Sequence, residues 1–259
     1  MLLALLILGL LSVGSIVFFA RLALVDSLRR GINVEPYRFP DILMLGVVVY
    51  IFLPGALLTM AGQVVPPIYT RPMILQGIII TMALITLIMG VLVGRWLNPL
   101  DLFGLRGRSP KVILATAGTS FLAVLPLVFF ALLLSQYLLG RPSEQPLMLY
   151  LRTHSGWADL LPLIVTAVIV APISEEIIFR GYVYGVVRHY AGRWCGLLFS
   201  AVFFAAIHGH VPSLIPLFLL AVCLQLAYEY SGSLWTTMLM HAGFNSLNII
   251  VALRWPELG

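Results

Sequence analysis

Three ionisable side chains, Glu175, Glu176 and Arg180, lie within six residues of one another in an otherwise apolar segment. A charge at membrane depth costs roughly 2.5–3.5 kcal/mol on insertion scales, which makes such residues candidates for a functional site. On a helix, Glu176 and Arg180 are four residues apart, share a face and can form an ion pair. Glu175 points about 100° away from Glu176, which leaves its carboxylate free for other chemistry.

Two further residue pairs follow in later apolar segments. Phe204 and His208 form the first pair, and His241 and Asn245 form the second. The members of each pair are four residues apart, so they share one face of a helix. Between the members of the second pair, Gly243 is expected to let a neighbouring backbone approach closely.

The depth of these residues in a membrane follows from a helix rise of about 1.5 Å per residue. Measured from the segment ends near residues 187, 194 and 233, Glu175 lies about 18 Å deep, His208 about 21 Å and His241 about 12 Å. Polar groups that face lipid would have no partners. The similar depths therefore predict that the three side chains share one polar cavity in the middle of the membrane.

The chemistry that this set of residues supports is hydrolysis. A carboxylate in a poorly solvated pocket is a useful general base toward a water molecule. A histidine beside it can hold the water and shuttle its proton. A histidine and an asparagine on one helical face can donate hydrogen bonds to a developing oxyanion, which is often the largest electrostatic effect in such reactions.

Three motifs in order, Glu-Glu-x-x-x-Arg, Phe-x-x-x-His and His-x-x-x-Asn, carry a resemblance to a known family. They resemble the motifs of the CPBP intramembrane proteases. These are the CAAX-protease-like and bacteriocin-processing proteins, also called the Abi family or type II CAAX prenyl endopeptidases. The resemblance covers about residues 172–248. It implies an all-helical membrane fold of about eight helices, with a catalytic cavity open toward the cytoplasmic side.

The resemblance also implies a reaction, the hydrolysis of a peptide bond by an activated water. Glu175 would be the general base, and His208 would help to hold the water. Some family members have an asparagine four residues after this histidine, where this chain has Pro212. A water-holding role for that asparagine is therefore missing here. We expect no cofactor to be required.

The remaining motif residues receive supporting roles from the resemblance. His241 and Asn245 would form the oxyanion hole, and Glu176 and Arg180 would order the site. A purely structural ion pair between Glu176 and Arg180 is compatible with catalysis by Glu175. The expected substrate is a peptide or a lipidated protein in contact with the bilayer. The sequence specifies neither prenylation of that substrate nor an oligomeric state.

Composition places these motifs in an integral membrane protein. Of 259 residues, 61% are hydrophobic and 10% are charged, against about 45–50% and about 25% in soluble domains. A hydrocarbon core of roughly 30 Å takes about 20 residues per helix. We predict one polytopic domain over 1–259, with four motif-free helices in 1–134 and four motif-bearing helices in 160–253. The predicted spans are 2–19, 42–61, 73–93, 112–134, 160–187, 194–207, 214–228 and 233–253.

Basic residues predict the orientation of the chain in the membrane. The odd-numbered connections between the predicted spans hold ten Lys and Arg, and the even-numbered connections hold three. By the positive-inside rule, the odd-numbered connections face the cytoplasm. We therefore expect a multi-pass protein of the bacterial cytoplasmic membrane, with its active site nearer the cytoplasmic side. These loop residues, rather than nucleic-acid binding, explain the net charge of +5.

Two other classes of function fit part of the pattern. In a zinc-dependent intramembrane protease, Glu175, His208 and His241 would hold Zn²⁺. The usual His-Glu-x-x-His signature is absent, and no Asp or Glu is an obvious hydrogen-bond partner behind either histidine. A non-catalytic peptide-binding or immunity protein, or a proton-relay protein, would also bury such charges. Neither Gly-x-Gly-Asp nor Gly-x-Ser-Gly occurs, which argues against aspartyl and serine intramembrane proteases.

Several other residues are interpreted as structural. His210 and Glu229 lie at helix ends and are predicted to be interfacial, although a place in the cavity remains open for both. Aromatic residues near the motifs are interpreted as membrane-belt or packing residues, namely Tyr182, Tyr184 and Trp194. Two small-residue motifs are interpreted as helix-packing positions, namely Gly181-x-x-x-Gly185 and Gly192-x-x-x-Gly196.

Overall fold

The computed structural model describes residues 2–26, 36–63, 71–139, 149–151 and 156–254. Within these ranges the chain is mainly helical and contains no strand. The helices are α1 (Leu2–Arg21), α2 (Phe39–Met60), α3 (Arg71–Gly94), α4 (Pro99–Leu102), α5 (Pro110–Leu139), α6 (the unbroken series Trp157–Val165, Thr166–Val170, Ala171–Glu175, Glu176–Val183 and Tyr184–Ala191), α7 (Arg193–Ile207), α8 (Leu214–Ser231) and α9 (Leu234–Arg254).

Seven helices in the described ranges are long and apolar enough to cross a membrane, namely α1, α2, α3, α5, α6, α8 and α9. The prediction of a multi-pass helical membrane protein is confirmed, and each of the seven overlaps a predicted span. The remaining predicted span, 194–207, is helix α7, which has 15 residues. At 1.5 Å per residue α7 is about 22 Å long, less than the roughly 30 Å of a hydrocarbon core.

Helix α8 occupies the centre of the bundle. It packs against α5, α7 and α9, and half of its apolar span is buried, the largest share among the seven long helices. Only 11% of the apolar span of helix α2, in contrast, is buried. Such exposure suits a helix that faces lipid, because its backbone hydrogen bonds are satisfied internally.

Buried apolar clusters join the N-terminal helices to the motif-bearing helices. One cluster includes Val48 of α2 and Phe179 of α6. A second includes Phe19 of α1 and Leu224 of α8. Among the motif-free helices, α2 packs directly against α7 and α5 packs directly against α9, both of which carry candidate-site residues.

Contacts near the connections show that the helix ends meet at two opposite sides of the bundle. On one side, three contacts join segments beside the odd-numbered connections between the predicted spans. They are Arg95–Asp41, Leu234–Phe103 and Arg193–Glu229. On the other side, the Ser135 hydroxyl near the end of α5 donates to the Pro212 carbonyl at 2.6 Å. Odd-numbered and even-numbered connections thus lie at opposite ends of the bundle, as expected when successive helices run in opposite directions.

Helix α6 packs closely against its neighbours at Gly181 and Gly185, the two glycines of the first predicted packing motif. A Cβ atom placed on Gly181 would lie 3.1 Å from the Phe103 ring, and one on Gly185 would lie 2.5 Å from the Tyr37 ring. Both distances are too short for an added side chain to fit without movement. The interpretation of Gly181-x-x-x-Gly185 as a packing motif is therefore confirmed.

The expectations about the other glycines hold only in part. Gly192 has a φ of +86° and ends α6, so it supplies a turn rather than a packing surface. Gly196 is a packing position, because a Cβ atom placed on it would lie 3.0 Å from the Arg188 backbone nitrogen. Gly243 has the Phe121 ring as its nearest neighbour, 3.4 Å from where a Cβ atom would lie, and no backbone approaches it closely. Sequence spacing alone does not distinguish a packing glycine from a turn glycine.

Candidate active site

Helix α6 departs from regular α-helical geometry in two wide, π-helical stretches, Thr166–Val170 and Glu176–Val183. Between them lies Pro172, which lacks an N–H and whose ring clashes with the carbonyl four residues earlier in a regular α-helix. The first wide stretch changes the backbone hydrogen-bond register just before Pro172. The Ala171 N–H donates to the Thr166 carbonyl, five residues earlier instead of the four of an α-helix. The second begins at the paired glutamates, and π-helical turns are frequent at functional sites.

Glu176, Arg180 and His241 form a buried ionic cluster. Arg180 Nη1 and His241 Nδ1 each donate to Glu176 Oε1 at 2.9 Å. All three side chains are shielded from solvent. The predicted Glu176–Arg180 ion pair is present, and α9 supplies the histidine that completes the cluster. Because breaking a buried charge pair is costly, the three groups depend on one another.

Glu175 differs from Glu176 in its surroundings. Its side chain is 25% exposed, and its Oε2 atom lies 3.8 Å from His241 Nε2. That oxygen accepts no hydrogen bond. His241 therefore lies between two carboxylates, with Nδ1 toward Glu176 and Nε2 toward Glu175. The expectation that no acidic residue lies behind either histidine is wrong, because Glu176 reaches His241 from another helix.

His208 follows the last turn of α7 and is exposed. Its Nδ1 donates to the Phe204 carbonyl at 2.7 Å, so Nε2 is the nitrogen available for other contacts. The ring is within electrostatic reach of Glu175 and His241. The structure thus brings His208 to the same region as the other motif residues, on the accessible side of the buried cluster.

The Phe204 ring is the apolar centre of the site. The Arg180 guanidinium lies over it, 4.2 Å from the ring centroid. The His208 and His241 rings lie 4.9 and 5.8 Å from the same centroid. A cation over an aromatic face is stabilised by the ring's quadrupole. Phe204 therefore contacts charged or polar motif side chains from three different helical segments.

Asn245 lies one turn after His241 on α9 and is partly buried. Its Nδ2 donates to the Ala167 carbonyl at 2.8 Å, within the first wide stretch of α6. A side-chain amide has two N–H groups, so one donor is engaged by α6 and one is left. The joint action of His241 and Asn245 on an oxyanion stays a prediction.

Sequence reasoning missed two hydroxyl groups that contact the backbone of α6. Ser200 Oγ donates to the Phe179 carbonyl at 3.0 Å, and Tyr37 Oη donates to the Gly181 carbonyl at 2.9 Å. Burial raises the pKa of Tyr37 well above its usual range, so its hydroxyl stays protonated and can donate. No local pattern marks these residues, since their partners lie far away in sequence.

Glu229 lies near the end of α8, as predicted, and its depth relative to the membrane interface stays a prediction. Its carboxylate is buried and accepts hydrogen bonds from Tyr184, from Arg188 Nη1 at 3.3 Å and from Arg193 Nη2 at 2.7 Å. Tyr184 is likewise buried, and it is not a residue of a membrane belt. Because Tyr184 lies nine residues beyond Glu175, about 14 Å along α6, this cluster is separate from the candidate site.

The residues expected to hold zinc in the alternative hypothesis do not form a compact ligand set. In the part of the chain that the structure describes, no three His, Cys, Asp or Glu side chains are grouped as metal ligands. Glu175 and His241 approach to 3.8 Å. A zinc site that also used His208 would need these side chains to move, so metal dependence is a question for experiment.

The fold and the cluster define a multi-pass helical membrane protein with a buried site of glutamate, arginine and histidine. Comparison with known proteins shows a family to which part of the chain is similar. Residues 156–247 match the family model described as Type II CAAX prenyl endopeptidase Rce1-like. This part of the chain, which contains all the motif residues, is similar to that CAAX-protease-like family. The family is one of proteases, and the resemblance predicted from the motifs is confirmed.

One relative is an Escherichia coli protein described as "Uncharacterized 24.3 kDa protein". It is 28% identical over 162 residues, which cover 60% of this chain and 70% of the relative. Its description states no activity. No solved structure matches the chain.

Proposed function

We propose that this protein is an intramembrane endopeptidase that hydrolyses a peptide bond with a water activated by Glu175. The observation that carries the proposal is the position of His241, 3.8 Å from Glu175 and 2.9 Å from Glu176. Glu176 is buried against Arg180, whereas Glu175 is partly exposed. Two carboxylates in such different environments are suited to different roles.

In the proposed reaction, Glu175 accepts a proton from a water that His208 helps to hold. The resulting hydroxide attacks the carbonyl carbon of the scissile peptide bond. The oxyanion of the tetrahedral intermediate accepts hydrogen bonds from His241 and Asn245. The proton then passes from Glu175 to the leaving nitrogen as the C–N bond breaks, which restores the carboxylate.

To donate a hydrogen bond to the oxyanion, His241 must carry a proton on both ring nitrogens. Because Nδ1 donates to Glu176, the ring carries a second proton on Nε2 only as an imidazolium. Only that form can donate from Nε2 to an oxyanion. In this proposal the Glu176 carboxylate orients the ring and also supplies the counter-charge to the imidazolium.

We also propose that the end of the bundle formed by the odd-numbered connections faces the cytoplasm of a bacterial cell, with the site nearer that side. Exposed tryptophans near this end support a membrane interface there, since such residues are enriched at the headgroup level. They are Trp96, Trp194 and Trp235. The proposed substrate is a peptide or lipidated protein that reaches the site from the bilayer.

The test is the peptidase activity of the purified protein in detergent on a quenched fluorescent peptide library. We expect Glu175→Gln to lower kcat/KM by at least about 100-fold, because an amide cannot accept the proton from water. Asp101→Asn, which changes an exposed acid outside the site, should retain full activity. If folded and inserted Glu175→Gln and His241→Ala cleave as fast as the wild type, the site assignment is wrong.

A zinc-dependent protease is the second candidate function, and one observation favours it. Metal-bound histidines usually donate their other N–H to a carboxylate, as His241 does to Glu176. Activity that is lost with a strong chelator and restored by Zn²⁺ would support this candidate. Activity that survives chelation but is lost in Glu175→Gln would support the metal-free proposal. Absence of cleavage in every condition would favour a peptide-binding, immunity or proton-relay protein.

A further inference from the structure

We infer that Tyr37 and Ser200 are positioning residues, which hold the backbone on both sides of Arg180 and thereby orient the buried cluster. Neither residue belongs to a motif, and Tyr37 lies outside the region that matches the protease family. The expected effect on catalysis rests on the proposed function, whereas the expected effect on the backbone does not.

The two carbonyl groups that flank Arg180 each accept a hydroxyl from another part of the chain. Ser200, on α7, donates to the carbonyl of Phe179 at 3.0 Å. Tyr37, in the connection before α2, donates to the carbonyl of Gly181 at 2.9 Å. The backbone of Arg180 is therefore held from two directions by residues far away in sequence.

The held segment is the second wide stretch of α6. The Phe179 carbonyl also accepts the N–H of Tyr184, five residues later, as in a π-helix. A return to the regular α-helical register would rotate the preceding part of α6 relative to the following part by about 100°, the rotation of one residue. Glu176 would then no longer face α9, so the wide register and the geometry of the cluster depend on each other.

Tyr37 is itself fixed by an ionic network. Arg95 donates both to the carbonyl of Pro36 and to the carboxylate of Asp41, which is fully buried. Tyr182 of α6 donates to the same carboxylate at 2.9 Å. Tyr182 is thus a buried hydrogen-bonding residue and not part of an aromatic belt. The network anchors Pro36, the residue before Tyr37, to the first turn of α2 through Asp41 and to the C-terminal end of α3 through Arg95.

The contacts form a continuous path from the N-terminal helices to the candidate site. Tyr37 and Ser200 hold the backbone of Arg180, whose guanidinium donates to Glu176. Glu176 in turn accepts from His241. The helices without motifs therefore do more than supply hydrophobic surface, because they set the orientation of His241.

The test uses Tyr37→Phe and Ser200→Ala, which remove single hydroxyl groups, beside Tyr50→Phe as a matched control. Tyr50 is on α2 and is 79% exposed. For each of the two positioning variants we expect kcat to fall about three- to tenfold with KM within about twofold, the scale of one lost hydrogen bond. The control should match the wild type. Unchanged kcat per folded molecule, with only the yield or stability lowered, would show a merely structural role and overturn the inference.

A second measurement separates this inference from the proposed function. Hydrogen exchange of the amides in residues 176–184 is followed on the full-length protein in detergent. We expect faster exchange in Tyr37→Phe and Ser200→Ala than in Tyr50→Phe. If exchange responds but the wild type cleaves no peptide, the proposed function fails and the inferred hold on α6 stands. If exchange in the variants equals that of the control, the inference is wrong, whatever the activity.

Discussion

At the scale of single residues, the His241 ring is the point where the two acids of the site meet. Glu176 binds one ring nitrogen, and Glu175 approaches the other. A carboxylate behind an imidazole fixes both the orientation of the ring and the nitrogen that carries the proton. Arg180 keeps that carboxylate in place through a direct contact.

Replacement of Glu176 by glutamine tests this role. We expect Glu176→Gln to lower kcat about 10- to 100-fold and to change KM little, because the ring loses its counter-charge but substrate contacts remain. Steady-state kinetics on matched amounts of folded protein provide the measurement. Asp101→Asn is again the control. A Glu176→Gln variant with the kcat of the wild type would show that His241 needs no charged partner.

At the scale of elements, α6 carries two ionic clusters with different surroundings. The cluster around Glu176 is entirely buried. The cluster around Glu229 contains Arg188 and Arg193, which are partly exposed and lie where α6 ends and α7 begins. We interpret the second cluster as a structural link between α6, α7 and α8.

The stability of the protein should respond to Glu229. We expect Glu229→Gln to lower the free energy of unfolding by about 1–3 kcal/mol, less than a fully buried pair because both arginines reach solvent. The kcat of the folded fraction should not change. Thermal unfolding in detergent, followed together with activity, measures both quantities. A fall in kcat without a fall in the unfolding midpoint would link Glu229 to the reaction after all.

The sequence predicts those features of the fold that depend on local patterns. The long apolar runs predict the membrane helices, since run length determines whether a helix can span a bilayer. The spacing of Glu176 and Arg180 predicts their pair, because residues four apart meet on one helix. The contacts of His241 with Glu176 and of Tyr37 with Gly181 join residues 65 and 144 positions apart. Helical periodicity does not specify which faces of different helices meet, so these contacts required the structure.

At the scale of the whole molecule, the grouping of the connections makes the proposed orientation testable. In a background with Cys195→Ser and Cys223→Ser, single cysteines are placed at two exposed positions, Ser109 and Gln63. We expect a membrane-impermeant maleimide to label Gln63→Cys on intact cells and to label Ser109→Cys only in opened membranes. The reverse pattern would invert the orientation predicted from the basic residues.

Helix α7 is much shorter than the helices that can span a bilayer. With 15 residues it is about 22 Å long, whereas α5, with 30 residues, is about 45 Å long. A long helix can tilt to fit a bilayer, but a short helix cannot lengthen. Hydrophobic mismatch should therefore thin the lipid beside His208, at the end of α7.

Bilayer thickness then becomes a variable that acts on the site without any ligand. We expect the reconstituted protein to be more active and more stable in vesicles of short-chain phosphatidylcholine than in vesicles of long-chain phosphatidylcholine at equal fluidity. Equal activity across chain lengths would show that the protein, and not the lipid, absorbs the mismatch. A cell that changes the acyl-chain length of its lipids would, by this route, change the rate at which water reaches Glu175.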